Sequence, residues 1–251
     1  MIESTMFRRS CYLLALIVGA LLASSACGDG NSTVDSITIV PPPGDANQVG
    51  IIVGDQVLNG WLYGSENDTL VILSHMRPND QTAWEPFAIE LAENGYAALT
   101  FDFRGYGISP GPQDFDKLDE DLATVISNVQ VVLGRADSQI FLIGASMGGT
   151  TAIVVAADAA VAGVVAISAP AEFQGQNAVD AIAKISAPVY LIAAEDDTAA
   201  MVSLDELLEA SGQTAESETF AGDEHGTALL EGPQAASVRA TIFEFLDKNA
   251  D

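Results

Sequence analysis

A serine between two glycines stands where one apolar segment of the chain ends and another begins. Residues 140–143 form a short β-branched and aromatic run, typical of a buried strand, and the pattern Gly-x-Ser-x-Gly follows at residues 144–148. From Gly149 onward the chain is apolar on nearly all sides for about two helical turns, as in a helix packed against a sheet. Ser146 therefore lies on a predicted strand-to-helix turn.

Such a turn suits a serine that acts as a nucleophile. The flanking glycines permit a tight turn without Cβ clashes, so that the hydroxyl projects above the edge of the sheet. A helix that begins beside Ser146 also directs free N–H groups and the positive end of its dipole toward any oxyanion formed there. A serine hydroxyl still needs a base that takes its proton, and an imidazole in hydrogen-bond reach provides one.

The chain has two histidines that could serve as this base. His75 ends a predicted strand upstream of the serine, whereas His225 lies in a loop between the last predicted strand and the final helix, a position that suits a mobile base. An imidazole base also needs a carboxylate that holds its tautomer and stabilises the imidazolium. Asp196 and Asp197 stand at the carboxyl end of a strand, between the serine and His225 in sequence, and residue type alone leaves both as candidates.

Predicted strands and helices alternate along the chain from about residue 49. Eight runs of strand length are predicted, most of them apolar, and from the third onward helical segments separate them. Among these are helices near residues 178–184 and 204–210, and the last helix is predicted near residues 235–248. Alternation of this kind indicates an α/β fold, a mostly parallel sheet with helices on both faces. In such sheets chemistry collects at the carboxyl ends of the strands, where the serine, histidine and aspartate candidates lie.

Between about residues 49 and 248 the sequence resembles an α/β-hydrolase. The order serine, aspartate, histidine is that of the family, and Asp-Phe-Arg-Gly-Tyr-Gly-Ile-Ser at residues 102–109 resembles the loop after its fourth strand. In the family pattern the acid is the third residue after the small residue that closes the strand, which selects Asp197 over Asp196. The resemblance thus implies a catalytic triad of this aspartate, the serine and His225.

The segment His-Met-Arg-Pro at residues 75–78 is similar to the His-Gly-x-Pro segment of the same family. The resemblance implies an oxyanion hole with N–H donors at Arg77 and at Met147, the residue after the serine. Met76 stands where the family usually has glycine, so it is the alternative donor to Arg77. Arg77 and Arg104 would also place positive charge near the mouth of the site and favour a carboxylated ester, although the acidic surface opposes its approach.

The resemblance further implies a site with a minimal cap or none, similar to dienelactone-hydrolase-like and small esterase members. Cap domains of the family lie between the sixth strand and the strand with the acid, and Ser168–Pro188 leaves only about twenty residues there. The sequence offers no nucleotide-binding loop, and its few cysteines and histidines provide no metal site. We therefore expect neither a metal nor a cofactor.

The N-terminal residues predict export. Two arginines precede an apolar run that is too short for a stable transmembrane helix, and small residues then lead to Cys27. This pattern predicts a signal peptide over residues 1–26. Residues 27–48, rich in Gly, Asp, Asn, Ser, Thr and Pro, predict a tether, and residues 49–251 the hydrolase domain.

Cys27 has no disulfide partner in an exported chain, because the other cysteine, Cys11, lies within the predicted signal peptide. The segment resembles a bacterial lipoprotein signal, which implies a lipid on Cys27 that anchors the protein at the membrane of the bacterial cell envelope. Such signals usually carry leucine three residues earlier, where this chain has Ser24. Ordinary cleavage after Ala26, which would give a secreted protein, is the alternative.

The charge balance excludes nucleic acid as a natural partner. The chain has 9 basic and 35 acidic residues, with a formal net charge of −26. The combined features predict an exported serine hydrolase that cleaves carboxylic ester bonds of small molecules through an acyl-enzyme. A peptidase or thioesterase with the same residues, and a tethered binding protein without turnover, are the alternatives.

Overall fold

The computed structural model describes residues 46–134, 139–212 and 214–250. The predicted signal peptide, Cys27 and most of the predicted tether lie outside these residues. The strands are β1 (Asn47–Val53), β2 (Gln56–Tyr63), β3 (Leu70–Ser74), β4 (Ala97–Phe101), β5 (Ile140–Ala145), β6 (Gly163–Ile167), β7 (Glu172–Phe173), β8 (Gln176–Asn177), β9 (Val189–Ala194) and β10 (Ala215–Phe220). The helices are α1 (Glu85–Glu93), α2 (Leu118–Val132), α3 (Met147–Ala156), α4 (Ala178–Ile182), α5 (Thr198–Ala210) and α6 (Ala235–Asn249).

Eight of the strands form one sheet in the order β1-β2-β4-β3-β5-β6-β9-β10. Strand β2 pairs antiparallel with β1 and with β4, and the other neighbours are parallel. The mostly parallel eight-stranded sheet predicted from the sequence is confirmed. Strands β3 and β5 lie side by side in its middle, so the residues that follow them are neighbours at the carboxyl edge.

Helices cover both faces of the sheet. One apolar core joins the sheet to α2, α3, α4 and α5, and a second joins its other face to α1 and α6. Every residue of β3, β4, β5 and β6 is buried, because strands covered on both faces have no polar side. None of the helices in the described ranges has the length and hydropathy needed to span a bilayer.

Two local features differ from the sequence prediction. Helix α5 begins at Thr198 rather than near Leu204, because the carboxylate of Asp197 accepts a hydrogen bond from the N–H of Ala200 and caps the helix. Between β6 and β9, where one helix was expected, the chain forms the short antiparallel ribbon β7–β8 as well as α4.

One buried carboxylate fixes the loop after β4. Asp102 accepts hydrogen bonds from the N–H and the side-chain amide of Gln81 and from the N–H of Ile108. Burial raises the pKa of Asp102, and these three hydrogen bonds oppose the shift. A Cβ at Gly107 would overlap the carboxylate, so the loop needs glycine there.

Candidate active site

Ser146 occupies a strained turn between β5 and α3. Its φ of 47° and ψ of −115° form a conformation that residues with a Cβ rarely adopt. Its N–H donates to the carbonyl of Ile167 in the adjacent strand at 2.8 Å, which helps to hold the turn. A Cβ at Gly144 would meet the backbone of Gly148, and a Cβ at Gly148 would meet the backbone of Ser74. Both glycines of the motif are therefore required by close packing of the backbone.

The structure brings the three predicted triad residues together. Oγ of Ser146 lies 2.8 Å from Nε2 of His225, and Nδ1 of His225 lies 2.5 Å from Oδ2 of Asp197. One neutral tautomer satisfies both contacts: Nδ1–H donates to the carboxylate, and the unprotonated Nε2 accepts from the serine hydroxyl. This arrangement leaves Nε2 ready to take a proton when the serine oxygen attacks a carbonyl.

Asp197, rather than Asp196, faces the imidazole. Asp197 is 11% exposed, and its second oxygen, Oδ1, caps α5 through the N–H of Ala200. The carboxylate is therefore held at both oxygens. Asp196 is exposed, and its backbone N–H donates to the carbonyl of Gly222.

The loop that carries His225 is attached to the sheet beside it. The N–H of Gly226 donates to Oγ of Ser168 at 3.0 Å, and the hydroxyl of Thr227 lies 3.6 Å from Sδ of Met76. Ser168 follows β6, is 1% exposed and has a left-handed φ of 50°. Sequence reasoning missed this contact, and the signal that could have found it is the position of Ser168 directly after a buried strand of the sheet.

We predict that Ser168→Ala lowers kcat for ester hydrolysis about 10-fold and leaves KM nearly unchanged. The buried N–H of Gly226 would lose its acceptor, and the imidazole of His225 would no longer be held in a fixed position. Ser168→Gly relieves the left-handed strain but lacks the hydroxyl, so it should lose activity equally while gaining thermal stability over the alanine variant. Gln174→Gly is the matched control, since Gln174 is exposed and has a similar φ of 47°. Equal kcat in Ser168→Ala and the wild type would contradict the positioning role.

Two backbone N–H groups are candidates for the oxyanion hole. Met147 is the first residue of α3, and the first N–H groups of a helix have no partner within it. The carbonyl of Met76 accepts from Nδ1 of His75 at 3.0 Å. Because N–H and C=O point in opposite directions across a trans peptide, the N–H of Arg77 points away from His75. No acceptor for the N–H of Met147 or of Arg77 is recorded among the described residues.

The side chain of Met76, which stands where the family usually has glycine, contacts the His225 loop. Its sulfur packs against the His225 loop at Gly226 and Thr227, so that a Cβ at Gly226 would overlap it. The methionine thus supports the loop of the candidate base, and its N–H is the alternative donor to that of Arg77.

His75 is buried and held by the backbone at both ring nitrogens. Nδ1–H donates to the carbonyl of Met76, and Nε2 accepts from the N–H of Phe103 at 3.2 Å. The ring also makes edge contacts with Phe103 and Tyr106. Burial lowers the pKa of His75 to about 4, so the ring is neutral at ordinary pH and orients the segment before Arg77.

Within residues 46–134, 139–212 and 214–250, no cluster of three or more His, Cys, Asp or Glu side chains could hold a metal ion.

A strand-to-helix serine at the middle of this sheet, facing a histidine and an aspartate from later loops, defines the α/β-hydrolase class. The family model for serine aminopeptidase, S33, matches residues 65–190, about half of the chain, and the protein belongs to this family of hydrolases. No curated protein sequence matches the chain.

Solved structures with the same fold include three enzymes of different specificity. The Pyrococcus furiosus esterase Pf2001 is 22% identical with a TM-score of 0.72, over 82% of this chain and 91% of that one. A dienelactone hydrolase from Anabaena variabilis is 20% identical with a TM-score of 0.69, over 82% and 98% of the two chains. A proline iminopeptidase from Mycobacterium smegmatis is 15% identical with a TM-score of 0.68, over 81% and 99%. At these identities the likeness establishes the fold and leaves the substrate open.

Proposed function

We propose that the protein is a serine hydrolase that cleaves carboxylic esters of small molecules. The observation that carries the proposal is the hydrogen-bonded chain from Ser146 through His225 to Asp197, in one consistent tautomer, at the N-terminal end of α3. Further support comes from the strained backbone at the serine, which matches the strand-to-helix turn of nucleophilic serines. The similar structures named as an esterase and a dienelactone hydrolase agree with this chemistry.

The reaction follows from the geometry. His225 Nε2 takes the proton of Ser146 as Oγ attacks the carbonyl carbon, and Asp197 stabilises the imidazolium that forms. The N–H groups of Met147 and Arg77 bind the oxyanion of the tetrahedral intermediate, and each such donor contributes roughly 3 kcal/mol. The imidazolium then protonates the departing alkoxide, and a water molecule, deprotonated by the same histidine, releases the acyl group.

A peptidase is the second candidate, because the matching family is described as serine aminopeptidase and one similar structure is a proline iminopeptidase. The same triad cleaves esters, thioesters and amides, so the fold does not select among them. The imidazole side chain is 41% exposed and Ser146 is partly exposed, which leaves both accessible to small substrates. Export and a lipid anchor at Cys27 stay predictions from the sequence.

The test compares one acyl group in three linkages. The purified protein is treated with a fluorophosphonate probe and then assayed with the ester, thioester and anilide of the same short acyl chain. We expect stoichiometric labelling and the highest kcat/KM on the ester. Anilide hydrolysis at the rate of the ester would favour the peptidase, and a folded protein that neither labels nor hydrolyses any of the three would favour a binding protein without turnover.

A further inference from the structure

Two aromatic side chains meet across the strands that lead to the candidate site. Phe115 follows β4 and Phe173 lies in β7, beyond β6, and their ring centroids are 5.7 Å apart in an edge-to-face contact. In the sheet, β3 and β5 lie between β4 and β6. The two phenylalanines therefore join the segments on either side of β3 and β5, and these two strands lead to Arg77 and Ser146.

The guanidinium of Arg77 lies over the ring of Phe115, one member of this pair. Its Cζ is 5.7 Å from the centroid of the Phe115 ring, a cation–π contact, and the side chain is exposed. Burial raises the pKa of Tyr106, and the nearby charge of Arg77 opposes that shift. The hydroxyl of Tyr106 lies 3.8 Å from Sδ of Met147. Tyr106 thus contacts the side chain of Met147, one candidate oxyanion donor, and Arg77 carries the other candidate N–H on its own backbone.

The positive charge of Arg77 is not neutralised by an ion pair recorded among the described residues, although the chain has 35 acidic side chains. Four other cations of the described chain do have such partners: Arg104 with Asp121 and Glu120, Lys117 with Glu120, Arg239 with Glu90, and Lys248 with Glu216. The Asp121 side chain that pairs with Arg104 is fully buried, so the guanidinium of Arg104 is engaged in an internal ion pair that stabilises the fold. Of the two arginines that the sequence suggested for the mouth, Arg77 is the one that remains available to a ligand.

We infer that Arg77 binds a carboxylate of the substrate, so that the preferred substrates are esters with a carboxylate a few bonds from the scissile carbonyl. The inference rests on the proposed ester hydrolysis. A guanidinium offers a planar pair of N–H donors that matches a carboxylate, and Phe115 and Phe173 offer apolar contact to the chain between the two groups.

The net charge of −26 acts against this preference only at long range. Repulsion between exposed charges is screened beyond roughly 8 Å at physiological ionic strength, whereas a direct guanidinium–carboxylate contact is screened much less. The preference for anionic esters should therefore be clearest at moderate salt and should weaken at very low salt.

The experiment measures a ratio of kcat/KM values for matched anionic and neutral esters. One pair carries the charge on the acyl part, mono(4-nitrophenyl) adipate and its carboxamide isostere, and the other on the alcohol part, 3-acetoxybenzoate and 3-acetoxybenzamide. In Arg77→Met the anionic-to-neutral ratio should fall about 10-fold or more for at least one pair, the size expected for a lost hydrogen bond between charged groups. The ratio should fall less in Arg77→Lys, because lysine keeps the positive charge but lacks the paired N–H donors of the guanidinium.

Lys184→Met is the matched control, since Lys184 is an exposed cation with no ion pair recorded in the described ranges, and it should keep the wild-type ratio. Adipate should also inhibit the wild-type protein more strongly than adipamide, a comparison that needs no variant. Unchanged ratios for both pairs in Arg77→Met and equal inhibition by adipate and adipamide would overturn the inference, while turnover of the neutral esters leaves the proposed function intact. Absence of both probe labelling and ester turnover would overturn the two together.

Discussion

Replacing Ser146 with alanine is expected to lower kcat/KM for ester hydrolysis by at least about 10⁴-fold, because the acyl-enzyme forms on the serine hydroxyl and alanine has none. The contact with His225 at 2.8 Å is lost with the hydroxyl, and the imidazole can then only assist attack by water. The fluorophosphonate adduct seen in the intact mass of the wild-type protein should be absent from this variant.

Ser127→Ala is the matched control, since Ser127 is an exposed serine on the surface of α2 and should keep both labelling and turnover. Ser146→Gly tests the strain at the same position. The φ of 47° costs a residue with a Cβ about 1–3 kcal/mol, so the glycine variant should be inactive yet unfold at a higher temperature than Ser146→Ala. Persistent labelling of Ser146→Ala would move the nucleophile to another residue and remove the basis of the proposed function.

The nucleophile was the part of the site most open to prediction from sequence. Ser146 lies in a local motif whose glycines are explained by short-range geometry, since each packs directly against backbone. His225 could be chosen because the chain has only two histidines and His75 ends a strand. The choice of Asp197 over Asp196 depended on resemblance to a family, because adjacent acids in a loop look alike until the backbone directions are known.

Other features depend on contacts between distant segments. The hydrogen bond from Gly226 to Ser168 joins residues 58 positions apart, and the ion pair that occupies Arg104 depends on which face of α2 presents Asp121. The contact of the Met76 side chain with the His225 loop also joins segments that are far apart in sequence. The early start of α5 is different, since Asp197 is a favourable N-cap residue that local reasoning could have recognised.

The family match and the site geometry support the hydrolase assignment from different parts of the chain. The matched residues, 65–190, include Ser146 and Arg77 but end before Asp197 and His225. The convergence of those two side chains on the serine is therefore an observation that the family match does not contain. It is also the observation with the most direct experimental test.

Asp197→Asn is expected to lower kcat by about 10³–10⁴-fold while the protein stays folded. The asparagine oxygen can still accept from the N–H of Ala200, so the cap of α5 is kept. The amide NH2 group, however, would face Nδ1 of His225, where the carboxylate now accepts a hydrogen bond. The imidazole then places its proton on Nε2, the atom that must accept the proton of Ser146, and its charged form is no longer stabilised.

Asp196→Asn supplies the matched control, because it makes the same substitution one residue earlier at an exposed side chain. It should retain nearly full kcat, and both variants should have thermal unfolding curves close to that of the wild type. If Asp196→Asn lost activity and Asp197→Asn kept it, the acid role would belong to Asp196. If neither lost activity, the carboxylate would be dispensable and His225 would have to be held by its loop contacts to Ser168 and Met76 alone.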